Sequence, residues 1–184
     1  MIPNAAIALV ASNNAGAGVL ALARENDIPA VHIDRKQFAS DERFRVEMLS
    51  MLRRHRINFL VLAGYLKKLD PEVVRAYRNR IVNIHPALLP KFGGKGMYGE
   101  HVHRAVLEAG ERVSGATVHL VDDEYDHGPV VLQREVDVLP SDTPVSLAAR
   151  VLEAEHSLYP EAIRLFAEGK VRIDGPHVRI EDKG

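Results

Sequence analysis

Two side chains capable of polar chemistry stand two residues apart in segment 83–90, which reads Asn-Ile-His-Pro-Ala-Leu-Leu-Pro. On an extended backbone, the side chains at positions i and i+2 point to the same face, so Asn83 and His85 would lie side by side. Asn83 can donate an amide N–H, and His85 can carry or pass a proton near neutral pH. Two prolines and the glycines of residues 93–99 then end regular structure. The segment predicts a polar pair where a strand gives way to a loop, although a capping Asn and a packed His would fit these residues equally well.

The composition excludes several classes of protein. The 184 residues carry 24 basic and 25 acidic side chains and no cysteine, so disulfides and thiolate metal sites are excluded. No basic excess suggests nucleic acid, and no apolar run approaches the ~20 residues of a membrane helix. The N-terminus lacks the pattern of a signal peptide. We expect one domain, and a cytoplasmic small-molecule enzyme with neither nucleic acid nor membrane as partner, although many soluble domains share these features.

Short apolar runs alternate with amphipathic segments in the first half of the chain. They predict strands at 7–11, 28–33, 58–62 and 81–85, and helices at 15–26, after a Ser40 cap and from Pro71. This alternation indicates an α/β fold with a mostly parallel sheet and helices on both faces.

The second half of the chain has a different pattern. It predicts a helix at 102–109, an antiparallel portion at 116–121 and 130–138, a long helix capped by Ser141 or Thr143, and a hairpin of 171–174 and 177–180. Pro160 is expected to break or restart the long helix.

Acidic and histidine clusters raise the question of a metal site. Asp126 lies in an Asp-His-Gly-Pro segment that is typical of turns, and the acidic residues before it lack the spacing of a calcium loop. His101 and His103 begin a predicted helix, where positions i and i+2 diverge by about 200°. No metal is expected.

Five segments, quoted in chain order, resemble a known family over nearly the whole sequence: 61–66 (VLAGYL), 83–90 (NIHPALLP), 114–119 (SGATVH), 122–129 (DDEYDHGP) and 155–160 (EHSLYP). They are similar to the folate-dependent formyltransferases, and among these to the phosphoribosylglycinamide formyltransferases of purine biosynthesis. The resemblance implies a Rossmann-like formyltransferase fold. It also implies transfer of a formyl group from 10-formyltetrahydrofolate to the amine of glycinamide ribonucleotide. Family members open with a strand and a Gly-rich loop, whereas residues 5–11 resemble the family's second strand. We therefore expect residues 1–184 to form a single, N-terminally shortened formyltransferase domain.

The resemblance assigns catalytic roles to Asn83, His85 and Asp126. Formyl transfer to an amine passes through a tetrahedral oxyanion, to which an Asn amide and an imidazolium can both donate. A carboxylate near the imidazole would keep it protonated, or would order a water that shuttles protons.

The resemblance also implies contacts with both substrates. The folate contacts are Leu62, Gly64, Leu66, Lys67, Leu69, Asp122 and Tyr125, and the nucleotide contacts are His119, Glu155 and Lys95. For His119 a satisfied core histidine is an equally good interpretation, and for Lys95 a mobile loop is. Leu152 stands where many members place a Gln. A homodimer is one option for the assembly.

Three other functions stay open at this stage. They are hydrolysis of the same folate, formylation of another amine, and a catalytically impaired folate-binding remnant. Hydrolases of the family tend to carry a second His after the catalytic one, where this chain has Pro86.

Overall fold

The computed structural model describes residues 2–181. Their strands are β1 (Val10–Ser12), β2 (Ala30–His32), β3 (Leu60–Leu62), β4 (Ile81–His85), β5 (Val113–Leu120), β6 (Val130–Asp137), β7 (Val171–Asp174) and β8 (His177–Ile180). The α-helices are α1 (Gly18–Glu25), α2 (Asp41–Arg54), α3 (Pro71–Ala76), α4 (Glu100–Glu108) and α5 (Pro144–Ala167). The chain forms two compact units: the smaller unit is 6–59 and 69–76, and the larger unit is 2–5, 60–68 and 77–181.

The smaller unit holds the parallel pair β1–β2 and the helices α1, α2 and α3. β1 begins at Val10 rather than at the predicted Ile7, whose side chain is exposed. The predicted Ser40 cap of α2 is confirmed, because its hydroxyl accepts a hydrogen bond from the Arg43 N–H at 3.2 Å. The helices bury an apolar set that includes Leu20, Ala23, Met51, Leu52, Val73 and Val74.

The larger unit is built on a four-stranded sheet in the order β3-β4-β5-β6. β3 and β4 are parallel, and the other two pairs are antiparallel. The sequence predicted the antiparallel pairing of β5 with β6 but not that of β4 with β5. Every residue of β5 from Ser114 to Leu120 is buried, which shows that both faces of this strand are covered. Helix α5 packs on β5 and β6, and α4 packs on α5.

Helix α5 begins at a capping box in which Thr143 and Ser146 bond each other's backbone N–H groups. The helix then continues through Pro160 to Ala167, so the expected break at Pro160 is wrong. Proline inside a helix costs about 3 kcal/mol. Leu158, Tyr159 and Ala162 are buried on either side of it, and this packing holds the helix in one piece.

The predicted C-terminal hairpin is confirmed: β7 and β8 pair antiparallel, with Asp174 opposite His177. Gly175 lies in the turn with a φ of 57°, a conformation that glycine adopts without strain. Across residues 2–181, no helix has both the length and the apolar character needed to cross a membrane.

Candidate active site

The pairing of β4 with β5 places four polar side chains in two rows. Asn83 lies opposite His119, and His85 lies opposite Thr117. Asn83 and His85 are two residues apart on a strand, as are Thr117 and His119, so all four side chains share one face of the sheet. His85 is only 3% exposed and Asn83 is half-buried.

Asp126 comes to this face from the loop between β5 and β6. One carboxylate oxygen lies 3.5 Å from His85 Nδ1, and the other lies 3.6 Å from His119 Nε2. The Gly94 N–H donates a hydrogen bond of 2.9 Å to the same carboxylate. The backbone of Asp126 has a φ of 53°, a left-handed conformation that Asp and Asn tolerate better than most residues. The structure therefore brings the three predicted catalytic residues together.

Both ring nitrogens of His85 face protein groups. Nε2 lies 2.8 Å from the Phe92 carbonyl oxygen. Because a carbonyl only accepts, Nε2 carries a proton and donates it, and Nδ1 faces Asp126. Burial lowers the pKa of His85 and outweighs the raising effects of Asp126 and the Phe92 carbonyl, while His119 lowers it further. The expectation that the carboxylate keeps this imidazole protonated is therefore not met, because desolvation of the ring is the larger effect.

The pKa of Asp126 is lowered as well, but here burial is the effect that is outweighed. Burial alone would raise the pKa of Asp126, but His119, His85 and the Gly94 N–H together hold it below its ordinary value. Near neutral pH the site thus contains a carboxylate beside a neutral imidazole. Such a pair can take up one proton at Nδ1 and hold it as an ion pair.

His119 is also enclosed, with only 2% of its surface exposed. Its Nδ1 lies 2.9 Å from the carbonyl oxygen of Leu120, and its Nε2 lies 3.2 Å from the Asn83 side-chain nitrogen. Of the two open interpretations, these contacts agree with a satisfied buried histidine that borders the site.

The residues that anchor the loop after β4 were not predicted from the sequence. The Thr117 hydroxyl accepts from the Leu89 N–H at 3.0 Å and donates to the Ala87 carbonyl at 2.6 Å. The Gln133 amide donates to both the Leu89 carbonyl and the Thr117 hydroxyl, at 2.9 Å each. The available signal was the position of Thr117, two residues before His119 on one strand.

The predicted folate segments are 62–69 and 122–128, and residues 62–68 of the first meet the second in the larger unit. Lys68 Nζ lies 6.0 Å from the centre of the Tyr125 ring, which is a cation–π distance. The Leu62 carbonyl lies 2.7 Å from the Tyr159 hydroxyl on α5. Asp122 pairs with His127 at 2.9 Å and accepts from the Glu124 N–H, which gives the second segment a turn of its own.

The remaining predicted folate contacts have varied surroundings. Gly64 has a φ of 67°, and Leu66 and Lys67 beside it are exposed. Leu69 is buried and belongs to the smaller unit.

The two other predicted nucleotide contacts lie on different elements. Burial raises the pKa of Glu155, against a smaller lowering effect of His156. Glu155 stands one turn before Tyr159 on α5, so the two side chains share a helix face. Lys95 is exposed between Gly94 and Gly96, which have φ values of 102° and 91°. Among residues 2–181, no three His, Asp or Glu side chains are grouped to hold a metal ion.

Comparison with known proteins decides the family. The sequence profile described as Formyl transferase matches residues 2–163. The chain belongs to the formyl transferase family. Phosphoribosylglycinamide formyltransferase of Haemophilus influenzae is 37% identical over 169 residues, which cover 92% of this chain and 77% of the relative. The chloroplastic phosphoribosylglycinamide formyltransferase of Arabidopsis thaliana is 45% identical over 170 residues, 92% of this chain and 58% of the relative.

A solved structure supports the same family at the level of the fold. Glycinamide ribonucleotide transformylase 1 of Symbiobacterium toebii has a TM-score of 0.88 and 42% identity, over 95% of this chain and 80% of that one. The predicted α/β formyltransferase fold is therefore confirmed. The chain spans only 58% and 55% of the length of the two plant relatives.

Proposed function

We propose that this chain transfers a formyl group from 10-formyltetrahydrofolate to the amine of glycinamide ribonucleotide. Membership of the formyl transferase family and the names of its relatives support this activity. The observation that carries the proposal is the position of Asp126, whose carboxylate lies within 3.6 Å of both His85 and His119, while His119 in turn contacts Asn83. A hydrogen-bond donor and a proton acceptor are the two groups that formyl transfer requires.

The reaction moves one proton for each formyl group. The substrate amine attacks the formyl carbon, and the carbonyl oxygen becomes an oxyanion, to which the Asn83 amide donates a hydrogen bond. The amine loses a proton to the pair formed by Asp126 and His85, which is unprotonated at the start. When the bond between the carbon and N10 of the folate breaks, this proton passes to N10. The products are the formylated amine and tetrahydrofolate, and the pair of Asp126 and His85 has returned to its unprotonated state.

The two substrates fit different parts of the chain. Within the larger unit, we assign the folate to Leu62, Gly64, Leu66 and Lys67 together with Asp122 and Tyr125. The cation–π contact between Lys68 and Tyr125 supports a shared site for 62–68 and 122–127. We assign the ribose to Glu155, which the resemblance implies, because a carboxylate can accept hydrogen bonds from hydroxyl groups. Lys95 is the candidate for the phosphate. A cytoplasmic location and a homodimer stay predictions.

An isotope experiment tests the proposed reaction. The chain is incubated with glycinamide ribonucleotide and 10-formyltetrahydrofolate that carries ¹³C in the formyl group, and the products are identified by mass spectrometry. We expect the label in the ribonucleotide, and we expect D126N to abolish most of it. Label in formate alone would instead identify a hydrolase. If the protein is folded and binds folate but the label appears in neither product, the chain is a catalytically impaired folate-binding remnant.

A further inference from the structure

The contact between His119 and Asn83 has a direction. His119 Nδ1 lies 2.9 Å from the Leu120 carbonyl oxygen. A carbonyl oxygen only accepts hydrogen bonds, so this nitrogen carries a proton. In the neutral ring, Nε2 then has a lone pair and no proton. The Asn83 side-chain nitrogen lies 3.2 Å from that lone pair and can donate to it.

We propose that His119 is a positioning residue, which fixes the orientation of the Asn83 amide so that its NH₂ group serves the reaction. This inference rests on the proposed formyl transfer. The two orientations of an amide have nearly the same shape and differ only in where the donor and the acceptor lie. A lone pair at Nε2 accepts from NH₂ and repels the amide oxygen. One N–H of Asn83 is thereby held by His119, and the other remains for the oxyanion.

The wrong orientation would be costly for the reaction. It would turn the amide oxygen, with its partial negative charge, toward the place where negative charge develops. Asn83 is the last polar residue before His85 on β4, and the partner across the sheet that decides its orientation is His119. The register of β4 and β5 therefore places His119 where it can orient the Asn83 amide.

Two observations distinguish this role from the alternatives. His119 is 2% exposed and its Nε2 contacts the Asn83 side-chain nitrogen, so its proposed effect on the reaction passes through Asn83. Its Nε2 lies 3.6 Å from the Asp126 carboxylate and 3.2 Å from the Asn83 nitrogen. The contact with Asn83 is within the range of a hydrogen bond between two nitrogens, and the Asp126 carboxylate lies farther from the same ring nitrogen.

Two variants of His119 separate its two nitrogens. H119N keeps a donor near the position of Nδ1 and removes the acceptor that faces Asn83. H119Q places an amide oxygen near the position of Nε2 and restores that acceptor. We expect H119N to lower kcat by about 10- to 100-fold, because an Asn83 amide that is not held in one orientation stabilises the oxyanion less well. KM for both substrates should change by less than about threefold, as expected for a group used in the transition state. H119Q should lose less activity than H119N.

A double-mutant cycle with N83A provides the decisive comparison. If His119 acts through Asn83, H119N should cause no further loss of kcat once N83A is present. Losses that multiply would show that His119 acts independently and would overturn the proposal. Thermal melting by circular dichroism checks that each variant folds.

The protonation of the His119 ring can also be measured in the unmodified protein, without an assay of formyl transfer. Nitrogen-15 NMR of the imidazole of His119 in ¹⁵N-labelled protein reports which ring nitrogen carries the proton. We expect a proton on Nδ1, which faces the Leu120 carbonyl, and none on Nε2. A proton on Nε2 would overturn the positioning role even if formyl transfer is observed. The expected tautomer in a protein that transfers no formyl group would instead show that the proposed function has failed, while the geometry at Asn83 holds.

Discussion

The Thr117 hydroxyl offers the sharpest test of how the loop after β4 is held. Thr117 has no exposed surface, and its hydroxyl bonds Leu89, Ala87 and Gln133. Thr117→Val keeps the shape of the side chain and removes the hydroxyl. The N–H of Leu89 and the carbonyl of Ala87 then lose these partners in the protein interior. Gln133 keeps its other acceptor, the Leu89 carbonyl.

The magnitude follows from the two buried groups. A buried donor or acceptor left without a partner costs about 1–3 kcal/mol. Two such groups together would cost about 2–6 kcal/mol. Because the loop can partly relax, we expect T117V to lower the free energy of unfolding by about 2–4 kcal/mol. The same loop supplies the Phe92 carbonyl to His85 and the Gly94 N–H to Asp126, so kcat should fall as well.

The assay and its control are direct. Urea denaturation followed by far-ultraviolet circular dichroism measures stability, since the chain has no tryptophan to report by fluorescence. T117S keeps the hydroxyl and should lose only about 1 kcal/mol with the missing methyl group. If T117V unfolds within about 0.5 kcal/mol of the unmodified protein, or if T117S is equally damaged, the hydroxyl does not hold the loop.

Three further outcomes follow from the geometry. H85A and D126N should each lower turnover in formyl-transfer kinetics by at least ~10²-fold, and near-normal turnover would remove that residue from the mechanism. Gly128→Ala should cost ~3 kcal/mol or more in thermal or urea unfolding, because the added Cβ would lie 1.9 Å from the Leu120 carbonyl oxygen. Burial holds the pKa of both His85 and His103 below the ordinary value, so the unfolded chain binds protons first as the pH falls below about 6.5. The free energy of unfolding should therefore decrease from pH 7.5 to pH 5.5 in urea titrations, and H103Q should reduce this decrease; equal stability at both values would contradict the assignment.

Much of the fold could be predicted because its signals are local. The bounds of β4 and of the hairpin β7–β8 agree with the predictions. So does the start of α5 at Thr143, where a cap residue precedes a proline. Each of these features depends on residues that are close together in the chain.

Features that depend on packing were not predicted. Pro160 carries a strong local signal for a helix break, yet buried neighbours hold α5 in one piece. Residues 7–9 are apolar enough for a strand, but β1 is only three residues long. In both cases the outcome depends on which partners pack nearby, and a local pattern does not contain that information.

The candidate site shows the same division. The spacing of Asn83 and His85 predicted that they share a face, and the resemblance added Asp126. The loop anchor joins residues that are 28 and 44 positions apart, so no short motif contains it. The pKa of His85 depends on how far the ring is buried, which a sequence does not state.

The charge state of the site fits the direction in which the proton must move. Had Asp126 kept His85 protonated, the pair would hold a proton before the amine attacked and could not accept another. With the pKa values of both His85 and Asp126 below their ordinary values, the pair is an empty acceptor near neutral pH. In the proposed reaction, the developing ammonium of the attacking amine would be a strong acid beside this carboxylate. Proton uptake becomes favourable only when that charge appears, and this timing links deprotonation of the amine to the bond that it forms.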